Sequence, residues 1–586
     1  MLPAVAVAAV VAVAVAVAVA IPALRHRLVR SALRRAGGRY RRRLEALGSD
    51  VRLSQERRLR RLLGTGTGTG TAGGERGAAG SAAGRGRSHG FPLSLCLSRQ
   101  ARKSSSSGIP WGSPVGTKRR GFRFARCGSG LCSPAAGTPT PGCRYGERRA
   151  GWARIPAGSA LLTRPSPQGS LLYLDALGAA FPRALVRRGT AVLHWSPGRA
   201  CAPAAWPLPS LYCSPAAAAL LPSRAAALRL QLLFALRQRA LRVLEAGLAA
   251  ELHDALLALR AEWPRLAQEL ELGRLSPQPG LPEGVRDRLQ ALLSPGAARA
   301  AELRAECARG FEGIVLRLWP QLEVVVVRTM HGTERLYCDS LRQADCQGLP
   351  FYCPFYQAAG ALLGVNLWPA EPAPRFLLCP DWAFCEFLPC LASKEPRAVL
   401  LDELWEGCEY GLVVTAQPGE YRCRTGEVLK VTGFHKQCPL VEPVRRESQT
   451  LSVRGESIPE EQFCQSLCRT LRMWPGAHLI DYVCVESSLL GDSSGPCAPH
   501  YEVFMELQGL RDLSEGQRYK LDQCLQEDFP IYKSFRFKGS IGPLRLHLVR
   551  PRTFTQLREA LGSPMPMPRV LREEQLLQLI QGSVIS

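Results

Sequence analysis

Asparagine is almost missing from this 586-residue chain; Asn366 is the only one. It stands in N-L-W, so there is no N-x-S/T acceptor for glycosylation. Cysteine is plentiful, at 21, but it lacks a framework. No C-x-x-C occurs, and Cys464 and Cys468, four apart, have no histidine pair to complete a zinc site. Buried free thiols and no metal are therefore the expectation, and both shortages point to a main body in a reducing compartment. Acidic residues are scarce only at the front. Residues 1–165 carry 30 Lys/Arg against 5 Asp/Glu, whereas the remaining 421 carry 45 against 44. The net charge of +26 thus belongs to the leading segment. A nearly neutral main body does not carry the basic footprint of a nucleic-acid binder, and none is expected as a partner.

Internal repeats are also absent, so the chain divides by composition. Residues 1–24 are an apolar, Val/Ala-rich stretch long enough to cross a bilayer, and nine arginines follow from Arg25 to Arg43. That order fits a membrane anchor with the main body in the cytosol, or a cleaved signal peptide. An anchor of this kind suggests the endoplasmic reticulum or the nuclear envelope. Residues 25–63 read as a basic helical segment beside the membrane. Residues 64–157 are low-complexity, either a disordered linker or a gene-model insert. Residues 158–448 form a large domain, and residues 449–586 a small α+β domain with an antiparallel sheet. Inside the large domain, Ser223 caps one long leucine-rich helix running past Leu259, which Trp263-Pro264 ends or kinks. Val324 to Val327 reads as a strand buried on both faces, and the loop Thr329 to Gly332 follows it where α/β proteins place ligands.

The stretch from Tyr410 to His435 reads strand, turn, strand, turn, strand, with Thr425-Gly426-Glu427 as the second break. A glycine followed by a carboxylate suits a turn that holds a sugar hydroxyl pair; a solvated hairpin in which Arg424 pairs with Glu427 is the plainer alternative. Glu386 reads as a structural acid at a strand end, and His500-Tyr501 as packing residues at a strand start.

Several segments share one resemblance. They are Y-Q-A-A-G-A-L-L-G-V-N-L-W-P from Tyr356, L-C-P-D-W-A-F-C-E-F-L-P from Leu378 and Y-R-C-R-T-G-E-V-L-K-V-T-G-F-H from Tyr421. H-Y-E-V-F-M-E-L from His500 and S-I-G-P-L-R-L-H-L-V-R-P-R-T-F from Ser540 complete the set. In this order they resemble the Gretchen Hagen acyl-acid-amido synthetases, including a vertebrate branch with a hydrophobic N-terminus. The resemblance implies an α/β, adenylate-forming (luciferase-like) large domain of sheets, helices and a distorted barrel, followed by a small C-terminal lid. It implies a two-step ligation with ATP and Mg²⁺, in which a small carboxylic acid is adenylated and an amino acid displaces AMP. It places nucleotide-binding remnants at Tyr356, Tyr421, Gly426 and Glu427, and acyl-pocket candidates at Thr329 and Met330. No catalytic residue is assigned.

The departures bear on activity. Where the family has the phosphate loop S-S-G-T-S-x-G, this chain has Pro156 to Pro167 with one glycine. The family's Y-x-S-S-E is Tyr356-Gln357-Ala358-Ala359-Gly360 here, its D-K-T is Glu456-Ser457-Ile458, and its Y-K-x-P-R is Met565-Pro566-Met567-Pro568-Arg569. Scaffold kept and chemistry eroded is the pattern of a pseudoenzyme; a working ligase with a rebuilt ATP site is the alternative.

Overall fold

The computed structural model describes residues 2–64, 166–196, 208–277, 281–390, 397–415, 422–489, 498–510, 512–562 and 566–586. For residues 2–21, 63–64 and 219–220 it describes the backbone alone. The expected linker, most of the phosphate-loop position, Tyr421 and the side chains of the expected anchor therefore lie outside the described residues. Among the described residues, no helix is long and apolar enough to cross a membrane.

Two helices lead the chain, α1 (Leu2–Leu47) and α2 (Val51–Gly64). The basic segment, expected beside a membrane surface, packs its apolar face on the protein. Leu44, Val51, Leu59 and Leu62 are all buried, while Arg34, Arg35, Arg39, Arg42 and Arg43 point outward. The helix α3 (Pro167–Ala180) lies against α1, with Ser166 capping the Gly169 N–H at 3.0 Å. Gly37 permits the approach, since a Cβ there would sit 2.6 Å from the Leu171 carbonyl oxygen. Gln55 on α2 reaches much later chain: its amide donates to the Pro380 and Ala383 carbonyls, and its oxygen accepts the Cys385 N–H.

The first sheet is parallel, in the order β1 (Thr190–Leu193), β2 (Val243–Ala246), β3 (Val324–Val327), β4 (Phe351–Tyr352). Its strands are short apolar runs because helices and loops cover both faces. All four valines of β3 are buried. The single long leucine-rich helix is in fact two, α4 (Arg224–Leu236) and α5 (Ala249–Leu272), with β2 between them. Leu241, Leu244 and Leu248 kept the helical spacing by coincidence, and the buried V-L-E-A run pairs between β1 and β3 instead. Ser223 does cap α4, but Pro264 lies inside α5 and does not end it. The helices α6 (Glu283–Gln290), α7 (Ala297–Ala308), α8 (Ile314–Leu318) and α9 (Glu334–Gln343) complete this layer.

A seven-stranded antiparallel sheet follows: β5 (Phe355–Ala358), β6 (Ala361–Val365), β7 (Phe376–Leu378), β8 (Phe384–Pro389), β9 (Glu409–Thr415), β10 (Cys423–His435) and β11 (Cys438–Arg446). Its order is β5-β6-β7-β11-β10-β9-β8. The expected break at Thr425-Gly426-Glu427 is a bulge inside one strand. Arg424 pairs with Val413 and Val428 with Gly411, so two extra residues are looped out on β10. Gly426, at φ 73°, makes that conformation accessible.

The lid holds β12 (Thr450–Leu451), β13 (Ile458–Pro459), α10 (Glu460–Leu471), β14 (His478–Glu486), β15 (Tyr501–Gln508), α11 (Glu515–Asp528), α12 (Pro530–Phe537), β16 (Arg545–Leu548), α13 (Thr553–Leu561), β17 (Val570–Leu571) and α14 (Glu574–Gln581). Its main sheet runs β16-β15-β14-β17 and is mixed rather than antiparallel: only β14 and β15 run opposite, and both outer strands are parallel to their neighbours. Tyr501 faces inward and donates to Glu456, which also accepts the Val453 and Arg454 N–H groups.

Candidate nucleotide and acyl site

The bulge on β10 turns the Glu427 carboxylate toward β5 and β11. Tyr356 donates its hydroxyl to Glu427 Oε2 at 2.6 Å, and Arg446 donates to Oε1 at 2.9 Å. Arg446 is the cross-strand partner of Glu427 on β11, so the pair is fixed by register. Thr425 Oγ1 accepts the Glu427 N–H at 3.1 Å and donates to the Leu412 carbonyl, which holds the bulge. Tyr356 is buried and stacks obliquely on Phe376 at 5.6 Å between ring centroids. Burial first, then the Glu427 charge, raises its phenol far above the ordinary range, so it stays a hydrogen donor.

The loop after β3 borders the same cluster. Met330 is buried, and Thr329 Oγ1 lies 3.3 Å from the His331 ring nitrogens. His331 senses both Glu427 and Arg446; burial outweighs the carboxylate and lowers its pKa to about 4. The imidazole is therefore neutral near pH 7. Because the unfolded chain binds this proton up to about pH 6.5 and the folded chain only below about 4, stability falls as pH drops through that window. The melting temperature should decline between pH 6.5 and 4.5, by the equivalent of about 2 kcal/mol. His331→Gln, which cannot take the proton, should flatten that part of the curve.

The structure thus brings Tyr356, Gly426 and Glu427 together and sets Thr329 and Met330 beside them. Sequence reasoning missed Arg446 and His331. Arg424 does not pair with Glu427 but with Glu447, at 2.6 Å. Glu386 lies in the middle of β8, where Arg422 donates to it at 2.7 Å. The segment Gln357 to Gly360 is a tight hairpin end, with Ala359 and Gly360 both at positive φ, and offers no hydroxyl or carboxylate.

Family models for the GH3 N-terminal, central and C-terminal domains match residues 192–351, 376–446 and 461–567 in that order. A human GH3 domain-containing protein is 43% identical over 434 residues, covering 72% of this chain and 77% of its own. The chain belongs to the GH3 family. Within that family, the rice (Oryza sativa subsp. indica) indole-3-acetic acid-amido synthetase GH3.8 is 30% identical over 411 residues, 64% of each protein. Among solved structures, the GH3.15 acyl acid amido synthetase shares the fold, with a TM-score of 0.62 at 23% identity over 71% of this chain and 78% of that one. The large domain and lid therefore have the fold of a GH3 acyl acid amido synthetase.

ATP use is what the family implies, and the residues present can be tested against it. Each oxygen of Glu427 already accepts one hydrogen bond from the chain's own donors, so a ribose diol would share the carboxylate with Tyr356 and Arg446 through its remaining lone pairs. Among the described residues, no group of three His, Cys, Asp or Glu is arranged to hold a metal ion.

Proposed function

We propose that this chain is a divergent GH3 acyl-acid-amido synthetase homologue whose ligase activity is weak or absent, and that its pocket binds a small carboxylic acid or amino acid without activating it. The hairpin end at Ala358, Ala359 and Gly360 carries this reading, since it offers no hydroxyl or carboxylate, and Glu427 beside it is already engaged by Tyr356 and Arg446. Alanines and a glycine where the family has two serines and a glutamate support it, because those groups would have met adenine and metal. Each lost group of this kind typically costs a factor of about 10²–10³ in rate. The same proposal keeps residues 1–24 as a membrane anchor or signal of the endoplasmic reticulum or nuclear envelope, supported by the nine arginines that follow.

The test is ATP–pyrophosphate exchange over a panel of carboxylic acids, beside calorimetric titration of ATP with and without Mg²⁺. Exchange at background with every acid is expected. Exchange above background that disappears in Glu427→Ala would overturn the reading and establish a working ligase.

A further inference from the structure

The large domain and the lid do not share an apolar core. One buried cluster runs from Leu44 to Leu440 and Val441 in the large domain, and two others lie wholly in the lid. Leu336 on α9 is the partly buried side chain of the large domain that packs on a lid cluster. Between the cores lies a layer of charge. Arg558 on α13 of the lid donates to Asp254 on α5 at 2.7 Å, and to Asp481 on β14 at 3.2 Å. It also donates to the Tyr337 hydroxyl on α9, which in turn donates to Asp481. Asp254 is also ion-paired with Arg224 of α4 at 2.9 Å and accepts the Thr555 hydroxyl of α13 at 3.0 Å. Arg569 binds Asp481 within the lid and donates to the Thr333 carbonyl at 2.9 Å, at the end of the candidate pocket's loop. Asp254, Tyr337, Asp481, Arg558 and Arg569 are all buried.

Such a seam behaves differently from an apolar one. Sliding or tilting the lid by a few ångströms would part these charges before water could reach them, and an unpaired buried charge is strongly disfavoured. Full separation opens both faces to water while Arg224 stays on Asp254 and Arg558 and Arg569 stay on Asp481, and the net loss is then modest, because the contacts that cross the seam contribute little beyond what hydration gives back. Apolar contacts tolerate small shifts in register; bidentate guanidinium–carboxylate geometry does not.

We propose that this cluster is an orientation-specific latch, holding the lid in one docked pose, releasing it only as a whole, and tethering the pocket loop through Arg569 and Thr333. The latch is a property of the seam and holds whether or not the chain forms adenylates, so its test is independent of the exchange assay.

Hydrogen exchange on the full chain tests it, with Asp254→Asn and Arg558→Lys as variants; the second keeps the charge but cannot reach three partners at once. In the parent protein, segments 249–256, 334–343 and 553–561, which come from both domains, should be protected and exchange at one common rate. In either variant all three should exchange at least tenfold faster together with loop 329–333, while segments over β2–β3 and β14–β15 keep their protection. Unchanged seam exchange in both variants would overturn the proposal. So would unequal rates on the two sides of the parent seam, or an equal loss across seam and sheets in both variants, since that would mark the cluster as ordinary core.

Discussion

Glu427→Ala should lower the stability of the protein by about 2–4 kcal/mol and leave pyrophosphate exchange where it began, at background. The carboxylate is 7% exposed and answers two donors, one of them a buried phenol. Its removal leaves the Tyr356 hydroxyl without an acceptor among apolar neighbours and Arg446 without its cross-strand charge. Arg446 is 42% exposed, so water recovers part of its loss, which keeps the figure below that of a fully buried pair. In a site that holds a ribose, the same substitution would act mainly on ligand binding. The contrast between a large stability effect and no activity effect is measurable by urea unfolding and exchange on one preparation. Tyr356→Phe should show a smaller loss of the same kind.

A larger effect is expected in the lid. Asp522→Ala should cost about 3–5 kcal/mol. This carboxylate is fully buried. It accepts the Tyr532 hydroxyl at 2.5 Å, the Leu544 N–H at 3.1 Å, the Gln526 amide at 2.7 Å and the Arg536 guanidinium at 3.1 Å. It therefore ties α11, α12 and the entry to β16 together. Burial and the Asp522 charge raise the Tyr532 phenol, so it remains a donor with nowhere to turn once the acceptor is gone. Calorimetric melting should show the lid losing its transition first, with the large domain little changed. A single undivided transition shifted by less than 1 kcal/mol would show that the carboxylate is not what joins these elements.

The outline of the fold was open to reading because its strongest signals are local. Ser223 announces its helix, the four valines announce β3, and Ser514 opens α11 with a capping box, whereas the Ser166 cap lay hidden in the Pro156 to Pro167 segment. The Gretchen Hagen segments identified the domain pair. The pocket was harder, because its pieces come from distant chain: Tyr356 and Glu427 are 71 residues apart. Yet Arg446 was within reach. Counting outward from the turn between His435 and Cys438 puts Arg446 opposite Glu427, since the two irregularities in the β10–β11 ladder cancel. The looped-out residues at Gly426 hid this by reading as a turn. The leucine run across β2 misled for a different reason: a short, mostly apolar run fits a strand and a helix equally well, and only the neighbouring strands decide between them.

The docking of α2 has a consequence for how the chain is made. Gln55 closes its hydrogen bonds on a segment 325 to 330 residues later. At about 5–20 residues per second, the ribosome needs roughly 15–65 s to supply that partner after Gln55 itself is added. During that interval Val51, Leu59 and Leu62 have no surface to cover them. Helix α2 is thus made long before it can be seated, and the emerging chain must keep a greasy edge out of trouble until β8 arrives.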